Sequence, residues 1–265
     1  MDLFKLTRPS SKKVPILISA PHSGVDFPDE VKDKFQDKFT KHPEDTDWYI
    51  HQLYDFAAEL GITLIKANYS RYVIDLNRQV DSSSLYSDGR KETTLLPAVT
   101  FAGEAIYKNE KPDQSEVKRR LEKYYHPYYQ KIETELASLV DEFGSALFFD
   151  AHSIKRMVKS IQDKPFPDLI LGNLDGVTAN PNLISTALEA LKNSEYEVSH
   201  NHPFKGGMLT RYFGNPQNGV HALQLEMVQE IYMDEDSCEY SLEKASCVRK
   251  TLRAMFKKLI LELEK

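Results

Sequence analysis

Cysteine is scarce in this chain: Cys238 and Cys247 are the only two in 265 residues, and they form no C-x-x-C pair. That excludes a disulfide framework and a thiolate metal knuckle, and it fits a reducing cytoplasm. Long apolar runs are also missing. Residues 14–20 and 146–149 fall far short of the roughly 20 residues that span a bilayer. The opening Met1-Asp2-Leu3-Phe4-Lys5 lacks the apolar core of a secretory signal. A cytoplasmic protein with no membrane partner is expected. Basic charge is nowhere concentrated: the net charge is -6, and residues 111–135 and 243–265 mix both signs. A nucleic-acid partner needs a basic face to neutralise phosphates, so none is expected. An acidic small molecule remains open, because a few arginines in a cleft outweigh a global charge. Internal repeats and low-complexity segments are absent. So are a G-x-G-x-x-G after a strand, a P-loop, a G-x-S-x-G elbow and an H-E-x-x-H helix.

What is present alternates strand and helix. Val14-Pro15-Ile16-Leu17-Ile18-Ser19-Ala20 reads as a buried strand that runs into the loop Pro21-His22-Ser23-Gly24. Residues 45–60 carry apolar side chains at helical spacing and stop at Gly61. Residues 62–67 and 72–76 are the next strand candidates, and residues 77–112 form a long irregular excursion of the kind that usually serves function. Residues 116–143 predict a long amphipathic helix kinked near Pro127. Strands follow at 146–150, 168–172, 196–199 and 220–226, with helices at 181–192 and 242–264. With no composition break or linker, this order predicts one α/β domain over residues 1–265, a mixed sheet between helical layers.

Polar residues sit directly after the apolar strands: His22 after 14–20, His152 after 146–150, and Glu226 at the end of 220–225. Ligands collect at the carboxyl ends of strands in open α/β sheets. Two histidines and an acid there make a site of the catalytic-zinc kind, three protein ligands with one position open. Asp45 and Asp47 are the candidate third ligands, and Asp45 reads equally well as a helix cap. Asp150, two residues before His152, reads either as the carboxylate that accepts the far N–H of a ligating histidine or as a turn cap.

Arg71, Arg78, Arg90 and Arg211 are candidates for gripping carboxylates, since a guanidinium fork binds them bidentately. Arg78 follows Asp75-Leu76-Asn77 and is favoured, whereas Arg90 reads equally well as solvated surface. In His200-Asn201-His202-Pro203 the two histidines point to opposite faces, so they do not share a metal. One of them could polarise a substrate carbonyl. Ser23 and Ser153 lie beside histidines but lack the Gly-flanked elbow of a serine hydrolase.

Taken together, six ordered segments resemble the N-formylglutamate amidohydrolase family: Ser19-Ala20-Pro21-His22-Ser23-Gly24, Asp45-Thr46-Asp47-Trp48, and Tyr69 through Arg78 in the first half. In the second half they are Phe149-Asp150-Ala151-His152-Ser153, Asn201 through Gly207, and Leu223-Gln224-Leu225-Glu226-Met227. The resemblance implies a three-layer αβα fold related to zinc carboxypeptidases and succinylglutamate and aspartate deacylases. It implies one zinc ion, or another divalent metal in its place, on His22, His152 and an acid of the 45–47 pair, Asp47 matching the family pattern better. This acid lies about two dozen residues after His22, unlike the compact H-x-x-E of carboxypeptidases.

The resemblance further implies Glu226 as general base or acid, Arg71 as oxyanion stabiliser, and Asn77, Arg78, Arg211 and His202 as substrate contacts. The implied reaction releases formate from N-formyl-L-glutamate, a small-molecule N-acyl amino acid met in histidine degradation. Another N-acyl amino acid deacylase or a carboxypeptidase-like peptidase is the alternative on the same site. A non-catalytic binder of acidic ligands is the alternative of another class.

Overall fold

The computed structural model describes residues 2–86 and 92–265. Seven strands among them form one sheet: β1 (Phe4–Thr7), β2 (Ile16–Ala20), β3 (Thr63–Ala67), β4 (Ala146–Ile154), β5 (Leu169–Gly172), β6 (Val198–His200) and β7 (Val220–Val228). Their spatial order is β1-β3-β2-β4-β7-β5-β6. The nine-residue strands β4 and β7 run parallel at its centre, paired from Ala146↔Val220 to Ile154↔Val228. β2 lies parallel between β4 and β3. The antiparallel pairings β1·β3 and β5·β7 make the sheet mixed. Every residue of β2 and β4 is buried. Strands covered on both faces read as continuous apolar runs rather than alternation, which is why these two stand out in the sequence.

Helices cover both faces. The short α1 (Asp29–Lys32), α2 (Asp37–Lys41) and α3 (Ile50–Leu53) precede β3, and α4 (Gln114–Arg120) joins α5 (His126–Phe143) through a π-helical turn. α6 (Pro181–Lys192), α7 (Met208–Phe213) and α8 (Leu242–Leu263) complete the set. On one face Ile16, Ile18, Phe149, Leu223 and Leu225 pack under α3, α6 and α8. On the other, Leu17, Phe148 and Ala222 pack under α5 and α7. Each such apolar side chain contributes about 1.5–3 kcal/mol by leaving water, so the two faces together hold the layers. Three helix starts, those of α4, α6 and α8, follow capping chemistry. Asp113 accepts from Glu116 N–H, Asn180 precedes Pro181 at the first position of α6, and Ser241 accepts from Lys244 N–H.

Two expected elements differ. Residues 72–76 are buried but form turn and coil rather than a strand. Their backbone groups are met one by one: Asp75 N–H donates to Leu95 O, Arg120 Nη1 donates to Val73 O at 2.8 Å, and the Tyr129 hydroxyl donates to Leu76 O at 2.8 Å. The helix expected over 45–60 starts at Ile50, because Tyr49 takes a left-handed conformation (φ 61°), and residues Asp55–Leu60 continue as a 3₁₀ turn. The kink expected near Pro127 is the π turn Leu121–Tyr125. β1, α1, α2 and α7 have no counterpart in the sequence reading.

Candidate active site

β2, β4 and β7 point the same way, so their carboxyl ends share one edge of the sheet. His152 and Glu226 face each other there in register across β4 and β7, and His22 follows β2 by two residues. Asp47 arrives on coil, its N–H donating to His22 O at 3.0 Å. The ligating atoms of His22, Asp47 and His152 lie within 4.8 Å of one another, all buried. Asp47, and not Asp45, converges on the histidines; the Asp45 carboxylate instead accepts the Phe101 N–H at 3.0 Å.

The His22 tautomer follows from its partner. His22 Nε2 donates to Asp75 Oδ1 at 2.7 Å, which leaves the Nδ1 lone pair 3.8 Å from Asp47 Oδ2. His152 Nε2 lies 3.1 Å from Asp150 Oδ1, and its Nδ1 lies 2.9 Å from Asp47 Oδ2. The Asn77 amide nitrogen also lies 3.1 Å from that Nε2. Asp150 stands beside the far nitrogen of His152, but its Oδ1 has no hydrogen-bond partner and its Oδ2 accepts from the Thr210 hydroxyl at 3.1 Å. An imidazole lone pair facing a carboxylate at 2.9 Å repels it unless a cation lies between them. A proton is one such cation: burial opposes a charged His152, yet Asp150 and Asp47 raise its pKa well above the ordinary value. A divalent metal is the other. Tetrahedral zinc spaces nitrogen and oxygen ligands about 3.4 Å apart, so this donor set fits one.

A second group braces the first. Asp75 is fully buried and receives the His22 ring, the Arg71 guanidinium at 2.6 Å and the Asn77 N–H at 2.9 Å. Burial works against its ionisation, but Arg71 and His22 outweigh this and hold it well below the usual carboxylate range. His22 moves down, through burial and then the neighbouring Arg71 charge. Arg71 is stacked 5.0 Å from the Phe101 ring.

Glu226 moves the other way. Burial, with Asp47 adding to it and His152 opposing, pushes its carboxyl up to about 8. Gly207 is required by contact: a Cβ there would sit 2.2 Å from Asn77 Nδ2. Its N–H donates to Gln224 Oε1 at 2.7 Å, and Leu209 N–H donates to Asn77 Oδ1 at 2.8 Å, so the Gly206-Gly207 turn fixes the Asn77 amide.

A narrow cavity of ≈ 80 Å³ is lined by His22, Asp47, His152, Glu226, Arg71, Asn77 and Arg78, with Tyr86, Phe101 and Phe204 as aromatic walls. Arg211 and His202 do not line it. Arg211 donates to Gly206 O and stacks 5.3 Å from Tyr86, behind that wall. His202 is exposed. Arg90 lies outside the described residues. Ser153 accepts from the Tyr232 hydroxyl at 2.7 Å, and Ser23 donates to Ala20 O, so neither serine has a histidine base. Asp75, Gln224 and the aromatic walls were missed as site residues. The only sequence signal for Asp75 was its place two residues before Asn77-Arg78.

The N-formylglutamate amidohydrolase family profile matches residues 14–233. The chain belongs to this family. It is 41% identical over 226 residues to an N-formylglutamate deformylase of Pseudomonas putida, covering 84% of this chain and 83% of that one. It is 40% identical over 252 residues to the N-formylglutamate deformylase of Pseudomonas aeruginosa, covering 94% and 93%. The crystal structure of an N-formylglutamate amidohydrolase from Ralstonia eutropha JMP134 superposes with a TM-score of 0.82 at 25% identity, over 100% of this chain and 98% of that one. The αβα layering is therefore that of the amidohydrolase family. No helix among the described residues is long and apolar enough to cross a membrane.

Proposed function

We propose that this chain hydrolyses the formyl amide of N-formyl-L-glutamate, releasing formate and L-glutamate. The observation that carries the proposal is the convergence of His22, Asp47 and His152 beside Glu226 in a cavity also lined by two guanidinium groups. The family membership supports the substrate.

A divalent metal, zinc by the character of this donor set, would be held by His22, Asp47 and His152 and would supply Lewis acidity to water and to the carbonyl oxygen. Glu226 takes the proton of the attacking water and returns it to the leaving amine nitrogen. Its raised pKa suits the return of the proton, and a cation on the three ligands would favour the ionised form that takes it. Arg71, fixed by Asp75 and Phe101, presents positive charge to the developing oxyanion without having to reorganise. Arg78 donates from Nε to Thr93 O and from Nη1 to Asn77 O, which leaves Nη2 to meet a substrate carboxylate. The Asn77 amide, set by Gly207, provides a second contact. Asp75 keeps the far nitrogen of His22 protonated and so aims its lone pair inward.

A panel of N-formyl, N-acetyl and N-succinyl derivatives of glutamate and aspartate, beside short peptides, tests the substrate. The highest kcat/KM is expected for N-formyl-L-glutamate. A higher value for a succinyl amino acid or a peptide would move the chain to one of the related chemistries.

A further inference from the structure

Phe101 lines the catalytic cavity of ≈ 80 Å³, and it also lines a larger cavity of ≈ 510 Å³ beside it. The two cavities share Ser153 and Ile154 as well, the residues with which β4 continues past His152. The end of β4 is thus a common floor, and Phe101 is the side chain that walls one cavity from the other. Beyond it the outer cavity runs over Ile154, Met157 and Val158. Its charged lining is balanced in sign, Glu44 and Asp45 against Lys155 and Lys159, so the apolar stretch decides what it suits.

The wall is held in place from behind. Phe101 sits on a tight turn in which Gly103 N–H donates to Thr100 O and Thr100 N–H donates to Glu104 O, both at 2.9 Å. Phe101 N–H donates to Asp45 Oδ2 at 3.0 Å, and Asp45 O accepts from Arg71 Nη1 at 3.4 Å. Asp45, which stays out of the metal-ligand set, therefore ties this turn to Arg71. The Arg71 guanidinium lies 5.0 Å from the centre of the Phe101 ring, within cation–π range.

That contact locates the acyl group. In the proposed reaction Arg71 faces the oxygen of the scissile carbonyl, and the acyl substituent is bonded to the same carbon. A formyl group carries only hydrogen there. A methyl group is about the size of a water, whose share of liquid volume is roughly 30 Å³. A cavity of ≈ 80 Å³ that must also take the amino acid has little room for it.

We propose that Phe101 is the specificity-determining residue that restricts this chain to formyl. Its ring closes the acyl side of the cavity, and without the ring a hydrocarbon acyl chain runs into the apolar outer cavity. The inference rests on the deformylase reading and adds the side chain that sets its acyl limit.

Kinetics of the purified chain supplied with zinc, on N-formyl-, N-acetyl- and N-butyryl-L-glutamate, test this in the parent and in Phe101→Ala. The ratio of kcat/KM for acetyl over formyl should rise at least about tenfold in the variant, and the butyryl ratio should rise further. Phe101 is half-buried on an exposed turn, so the fold should survive, which circular dichroism checks. Phe101→Leu should give a smaller rise. Phe204 lines the catalytic cavity but not the outer one, so Phe204→Leu should leave both ratios near those of the parent. Ratios unchanged in both Phe101 variants would overturn the proposal. So would an equal rise in Phe204→Leu, or a parent that cleaves the acetyl and butyryl substrates as well as the formyl one. A parent that cleaves none of the three defeats the deformylase reading instead. Calorimetry with N-butyryl-L-glutamate then decides the wall by itself: tighter binding in Phe101→Ala than in the parent supports it, and equal binding overturns it.

Discussion

His152 and Glu226 reach the cavity from two adjacent nine-residue strands, while Asp47, Arg71, Asp75 and Asn77 reach it from coil. On the strand side, nine paired positions of a buried parallel ladder fix where the two side chains stand. On the coil side no ladder exists, and position depends on side chains. Asp75 ties His22 to Arg71, Arg120 and Tyr129 hold the backbone of Val73 and Leu76, and Gly207 admits Asn77. The strand side can therefore lose a functional group without losing shape. The coil side cannot, since its polar groups are both the chemistry and the scaffold.

Substitution on the strand side should give the largest loss of turnover. Glu226→Gln is expected to lower kcat about 10³-fold while the thermal midpoint and bound metal stay unchanged, read by kinetics, calorimetry and metal analysis. As a base, Glu226 acts when ionised, so kcat/KM of the parent should rise with pH through its pKa, and that acid limb should vanish in the variant. A variant that unfolds early would erase the contrast between the two sides.

On the coil side Asp75→Asn should do the reverse. Leaving Arg71 buried without its counter-charge costs about 3 kcal/mol, a fall of roughly 8 °C in the thermal midpoint. Loss of the His22 brace should also weaken metal binding about 10- to 100-fold. If stability holds and only activity falls, Asp75 is chemistry alone and the scaffold role fails. The smallest effect is expected outside the cavity, where Arg211→Lys and His202→Ala should each keep kcat/KM within about twofold of the parent. A larger loss at either would bring that side chain back into substrate binding.

The same contrast explains what could be read beforehand. His22, His152 and Glu226 are legible because each follows a mainly apolar run at the carboxyl edge of an α/β sheet, although β4 and β7 continue two residues beyond His152 and Glu226. Residues 72–76 mislead because Tyr72, Val73, Ile74 and Leu76 are as buried as any strand, yet their backbone bonds go to Arg120, Tyr129 and Leu95. Burial shows in composition, whereas the identity of the hydrogen-bond partner does not. Asp45 and Asp47 could not be separated by spacing, since a left-handed Tyr49, invisible in the sequence, ends the coil that aims Asp47 inward. Arg211 and His202 flank a glycine turn that does enter the cavity, but Arg211 turns back on α7 to Gly206 O and His202 is exposed.

The central claim is that His22, Asp47 and His152 hold a metal that the reaction of this chain requires. Hydrolysis of N-formyl-L-glutamate by the purified protein, before chelation, after it, and after zinc is restored, tests it most directly. The account predicts activity that disappears with the chelator and returns with zinc. Undiminished turnover in a protein shown to be metal-free would contradict it.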